Sequence, residues 1–238
     1  MWRPLVAIAL LAGVARAKPK QKKVKHESII RRLEPARAIR ASMKVIKSTN
    51  LDNMPRGWTW PPSRSMTETA HACEERLDEL GATWKHVPGE GHIVDAITTD
   101  LQFGGIVYAG VFGQGPYKLD CQLALQLETF GPALYELGVR EVHFGSIYRW
   151  TRVRVGGKTK NILSRHALGL AMDIVSFVDA TGHELVVGRD YKQGAPLLLA
   201  IEQAVNTSGK FRLLLTPKND PLSHKDHFHL EAAIDYAP

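Results

Sequence analysis

The sequence predicts an α+β domain built on a mostly antiparallel β-sheet flanked by helices. Segments with helical apolar spacing come early, and short strand-like runs dominate around the histidine motifs of the second half. With 238 residues, 44% of them hydrophobic, the chain has enough apolar material for one domain of ordinary size plus extensions, and it carries no internal repeat.

In chain order, Met1-Trp2-Arg3 and the apolar run Pro4 to Val14, closed by Ala15-Arg16-Ala17, read as a signal peptide over residues 1–17. That run is short for a membrane span, and no later segment approaches the roughly 20 apolar residues one requires. The expected location is therefore exported, in the periplasm or outside the cell. Residues 18–65 read as a basic arm followed by an irregular linker. Between residues 18 and 40 stand nine Lys or Arg against Glu27 and Glu34, a local excess equal to the whole chain's net charge of +7. Without this arm, and without Arg3 and Arg16, residues 41–238 hold 20 basic and 22 acidic groups. The folded part is thus not basic, which argues against a nucleic-acid partner and reads the arm as a solvated tether, with a weak, salt-screened contact to anionic wall polymers or lipid headgroups as the alternative. Residues 50–65, with three prolines around Trp58 and Trp60, read as irregular but ordered.

The domain is expected from residue 66 to 238. Thr67 to Leu80 is expected as a helix, with Thr67 or Thr69 as N-cap, Cys73, Leu77 and Leu80 on one face and Gly81 as its stop. Ile93–Ile97 and Ile106–Phe112 read as strands, and residues 113–116 as a turn. A second helix starts at Asp120 and is expected to break at Gly131-Pro132 before Ala133–Leu137. Further strands are expected at Val142–Tyr148, Ile174–Val178, Phe211–Leu215 and His227–Ile234, with a helix at Ala195–Val205. The segment Gly182 to Gln193, with Asp190 and Tyr191, reads either as a substrate wall or as a surface hairpin. In an exported chain Cys73 and Cys121 have the opportunity to form one disulfide, and neither sits in a nucleophile or metal-ligand pattern.

Two motifs carry the chemistry: Ser164 to Asp173, reading SRHALGLAMD, and His224 to His229, reading HKDHFH. His166 and Asp173 are seven residues apart, which on an unbroken strand is roughly 23 Å and on a helix about 10 Å along the axis. Neither lets both reach one ion with ligand bonds of about 2.0–2.2 Å, so the chain must turn between them, and Gly169 is the residue that permits it. His166 is expected on a loop, and Asp173 at the start of the strand Ile174–Val178. His227 and His229 would share one strand face while Phe228 and Leu230 enter the core. Two imidazoles and one carboxylate leave Zn²⁺ enough charge to acidify a water, and a free fourth position for it.

At these residues the chain resembles the extensin-like C-terminal domain family of bacterial envelope proteins. More distantly it is similar to the D-Ala-D-Ala carboxypeptidases and penicillin-insensitive murein endopeptidases of the hedgehog/DD-peptidase-like superfamily. The resemblance spans about residues 70 to 232. Its S-x-H-x-x-G-x-A-x-D signature falls on Ser164, His166, Gly169, Ala171 and Asp173, and its H-x-x-H-F-H ending on His224, His227, Phe228 and His229. It implies a hedgehog/DD-peptidase-like fold and a zinc peptidase acting on an amide bond of peptidoglycan peptides. It also implies His166, Asp173 and His229 as zinc ligands, and Arg149, after Tyr148, as the group that stabilises the oxyanion. Arg152 is the nearest competitor of Arg149. For the general base the relatives point to either Asp226 or His227, and strand parity favours His227. A non-catalytic zinc-containing module for wall binding or signalling is the alternative. Relatives carry extra cysteines, so their disulfide pattern does not transfer, and the pairing of Cys73 with Cys121 stays open.

Overall fold

A computed structural model describes residues 53–236, apart from Glu90, Gln114, Gly156 and Gly157. The expected signal peptide and basic arm lie outside the described residues.

Helix α1 (Arg64–Glu79) starts earlier than its apolar spacing suggested. Its N-cap is Ser63, whose hydroxyl accepts from the Met66 amide, and neither threonine serves. The stretch before it is irregular, as its prolines imply, but Met54 and Trp58 pack on the core and the Tyr236 amide donates to the Arg56 carbonyl. Packing therefore begins by Asn53, ahead of the boundary expected at 66. Strands β1 (Trp84–His86), β2 (Ala96–Thr99) and β5 (Leu119–Asp120) form a small antiparallel sheet. The strand expected from Ile93 begins only at Ala96.

The main sheet has seven strands. Six run in the order β11 (Phe211–Leu215), β12 (Phe228–Ala232), β9 (Ala171–Asp179), β6 (Val139–Ser146), β4 (Ile106–Gly110) and β3 (Gln102–Phe103), and β10 (Glu184–Val186) also pairs with β9. Every pairing is antiparallel except that of β4 with β6. Between these two parallel strands the chain crosses through helix α2 (Cys121–Glu136), as a parallel connection requires. The last helix, α3 (Pro196–Thr207), buries Leu198, Ile201 and Val205. Leu127, Phe130, Leu134, Phe177, Phe228 and Leu230 meet in the core between helices and sheet. The protein is therefore α+β with mostly antiparallel sheets. Among the described residues, no helix is long and apolar enough to cross a membrane.

The expected break at Gly131-Pro132 does not occur, because α2 runs straight through it. Tertiary packing explains this. A side chain at Gly131 would come within 2.4 Å of the Phe103 carbonyl, and one at Gly104 within 2.4 Å of the Glu128 carbonyl, so helix and β3 touch backbone to backbone. The Glu128 carbonyl is the one Pro132 leaves without its helical donor, and it faces this contact. A pair of charged strands, β7 (Arg152–Val155) and β8 (Lys158–Leu163), forms a separate hairpin with no counterpart in the sequence expectations. Cys73 of α1 is disulfide-bonded to Cys121, the first residue of α2.

Candidate metal centre

The turn that joins His166 to Asp173 is built by local chemistry. Ser164 caps a short 3₁₀ turn, Arg165–Leu168, its hydroxyl accepting from the His166 amide. Gly169 then ends the turn at φ +68°, in the left-handed region. A side chain there would come within 2.6 Å of the Asp120 amide, which donates to the Gly169 carbonyl at 3.0 Å. Both demands select glycine. The chain doubles back into β9, where Asp173 is the third residue and pairs in register with His229 of β12 on one side and Ser146 of β6 on the other.

Sheet register and turn together bring three side chains to one point. His166 Nε2 lies 3.0 Å from Asp173 Oδ1 and 3.1 Å from His229 Nδ1, and His229 Nδ1 lies 2.8 Å from the same carboxylate oxygen. The outer nitrogens are already committed. His166 Nδ1 donates to the Ile147 carbonyl at 2.6 Å, and His229 Nε2 donates to Glu231 Oε1 at 3.0 Å. Each neutral ring then turns a lone pair inward, so two nitrogens and a carboxylate oxygen converge with nothing between them to share. Such a triangle could hold a metal ion, and two imidazole nitrogens with a carboxylate oxygen are a donor set that zinc accepts. Without an ion, protons must take that part. Burial opposes a charge on both imidazoles and brings His166 below its ordinary value, whereas the carboxylates of Asp173 and Glu231 overcome burial at His229 and raise it to about 9. Burial likewise works against ionisation of Asp173, yet the two imidazoles hold its carboxyl far below the usual range.

A second layer fixes these groups. Ser146 Oγ donates to Asp173 Oδ2 at 2.8 Å, and Arg149 Nη2 donates to the same oxygen at 3.1 Å, which leaves Oδ1 for the histidines. Glu231 is held in turn by Arg212. Arg165 is buried beside this carboxylate, and that burial lowers its pKa to about 10. Ser146 and Glu231 were missed in the sequence. Glu231 follows the H-x-H pattern with the same parity, which was the available signal, but Ser146 is found only from the register of β6 on β9.

The remaining expectations separate clearly. His227 sits just before β12, with Nε2 3.5 Å from Asp173 Oδ1 and its side chain 19% exposed. Its Nδ1 donates to Asp226 Oδ1 at 2.9 Å, while Asp226 itself is 63% exposed and turned away from the centre. Of the two base candidates, the imidazole faces the centre and the carboxylate stands behind it. Arg149 reaches the centre, and Arg152 is bonded to Asn161 on the hairpin instead. His224 donates from Nδ1 to Asp220 Oδ2 at 2.9 Å and packs its ring on His227 and His229; burial, with these imidazoles, brings it down to about 4. In the segment 182–193, β10 is followed by a single π-helical turn, Val187–Tyr191. Its Asp190 carboxylate accepts from the Val186 amide and from Arg189, and Tyr191 donates to Glu202, so neither faces the centre. The turn nonetheless abuts the loop before β12, since a side chain at Gly188 would meet the Asp226 backbone at 3.1 Å.

No curated protein and no solved structure shows significant similarity to the chain. A family model described as "Extensin-like protein C-terminus" matches residues 71–236, a span that contains every side chain of this centre. The match takes in well over half the sequence, and the chain belongs to the extensin-like protein C-terminus family.

Proposed function

We propose that the protein is an exported zinc-dependent peptidase that cleaves an amide bond in the peptides of peptidoglycan, as carboxypeptidase or endopeptidase. The observation that carries this reading is the triangle of His166 Nε2, Asp173 Oδ1 and His229 Nδ1, with the outer nitrogens of both imidazoles already bonded. These three side chains would hold the ion. When bound, zinc supplies Lewis acidity that polarises an amide carbonyl and acidifies a water. His227 takes a proton at Nε2, which faces the centre, and returns it to the leaving amine; Asp226, bonded to Nδ1, fixes the tautomer that leaves Nε2 free to accept. Arg149 spends Nη2 on Asp173 and Nε on Ser146 Oγ and is half exposed, which leaves Nη1 as its donor toward an oxyanion. The peptidoglycan substrate, the periplasmic or extracellular location and the hedgehog/DD-peptidase-like fold rest on the resemblance of the two motifs to murein peptidases.

A non-catalytic wall-binding or signalling module is the second reading, favoured by the Arg149–Asp173 ion pair at 3.1 Å, which a purely structural arginine would also make. The test is mass spectrometry of muropeptides released from purified peptidoglycan, beside His166→Ala and His227→Ala controls. New fragments with the wild type that are absent with both variants support the peptidase and name the bond. Unchanged peptidoglycan, with the wild type folded and zinc-loaded, rejects it in favour of the module.

A further inference from the structure

A second set of metal-ligating side chains stands away from the centre, around the disulfide end of α1. Glu74 lies on α1, His86 on β1 and Asp95 just ahead of β2, and one ligand atom from each lies within 4.8 Å of the others. His86 Nε2 contacts Glu74 Oε1 at 2.6 Å, and His86 Nδ1 faces Asp95 Oδ1 at 3.5 Å. A neutral imidazole has one proton for two carboxylates. His71 holds the other oxygen of Glu74 at 3.3 Å. Asp95 is only 4% exposed, and its Oδ2 is sealed from solvent with no hydrogen-bond partner among the described residues. An isolated buried carboxylate oxygen is costly, and a second carboxylate beside it makes it costlier.

We propose that Glu74, His86 and Asp95 form a second site for a first-row divalent ion such as Zn²⁺. Two carboxylates neutralise the ion, the imidazole selects a transition metal over calcium or magnesium, and three protein ligands leave solvent to complete the shell. Bonds of about 2.0–2.2 Å place ligand atoms about 3–4 Å apart, so the present spacing needs only side-chain adjustment. The raised carboxyl of Asp95, lifted to about 6 by burial and the charge of Glu74, is the same unmet demand for a positive charge. The site is structural in kind. It ties α1 to β1 and to the segment before β2, where the Asp95 amide donates to Asp120 Oδ2 and the Asp95 carbonyl accepts from the Cys121 amide. Asp120 in turn holds the Gly169 carbonyl, so the ion would brace the wall behind the turn that presents His166.

The experiment is elemental analysis of the purified full-length chain dialysed against micromolar zinc, with His86→Ala, Glu74→Gln and His166→Ala measured alongside. His86 is largely exposed and its loss leaves the core intact. The proposal predicts that His86→Ala and Glu74→Gln each carry one ion fewer than the wild type, whereas His166→Ala retains the ion that they lose. It also predicts that zinc raises the melting midpoint of His166→Ala by about 5 °C at a hundredfold excess over Kd, and leaves that of His86→Ala/His166→Ala unmoved. Equal zinc content in wild type and His86→Ala overturns it. Because each variant disables one centre only, loss of zinc in His166→Ala but not in His86→Ala rejects this site while leaving the peptidase reading intact, and the converse result rejects the zinc of that reading alone.

Discussion

Glu231 stands behind His229, on the side of the ring that faces away from the candidate centre. It accepts from His229 Nε2, which fixes the ring with Nδ1 inward and makes that nitrogen a better donor. Glu231→Gln is therefore expected to weaken zinc binding by about 10–100-fold without unfolding the protein, as competition with a chromophoric chelator would measure. The proton inventory gives a second expectation. A histidine raised to about 9 holds a proton at neutral pH in the metal-free protein, and zinc must displace it. Zinc affinity should rise with pH, by up to about tenfold per unit between pH 7 and 9, with proton release visible when binding heats are compared in buffers of different ionisation enthalpy. The metal-free protein should show the opposite slope. A pKa raised above the unfolded value contributes stability below about pH 6.5, and this is lost as pH rises through 9, so melts in chelator should fall over that window.

At the scale of elements, the 3₁₀ turn and the α1–α2 cross-link matter most. Gly169→Ala forces a side chain into a left-handed backbone and against the Asp120 amide. Urea denaturation should show a loss of about 2 kcal/mol or more, and zinc content should drop, since the same turn presents His166. The Cys73–Cys121 bond closes a loop of 48 residues in sequence. Chain entropy alone assigns such a loop about 4 kcal/mol, so Cys73→Ser/Cys121→Ser should lose about 2–4 kcal/mol in denaturant titration, with the same final fold by circular dichroism. These elements also mark the limit of sequence reading. Strands with compact apolar runs, such as β9 and β11, were legible because the pattern is local, and so was the turn at Gly169, which ligand geometry demands. The passage of α2 through Gly131-Pro132 was not, because it depends on a backbone contact with Gly104 distant in sequence. The N-cap at Ser63 was hidden by two preceding prolines, and the β7–β8 hairpin by its lack of apolar alternation.

At the scale of the molecule, the candidate centre stands where three neighbouring strands of the main sheet meet: β6 brings Ser146, β9 brings Asp173, and β12 brings His229 and Glu231. That His166, Asp173 and His229 come together was implied by the family resemblance, whereas the groups that orient them were not legible, because cross-strand register is a property of the assembled sheet. The central claim is that His166, Asp173 and His229 close on a zinc ion. The most direct measurement is anomalous diffraction at the zinc edge from crystals of the protein grown with zinc. The account predicts a peak bounded by His166 Nε2, Asp173 Oδ1 and His229 Nδ1, at about 2.0–2.2 Å from each. Ordered side chains in the same arrangement with no peak between them would contradict it.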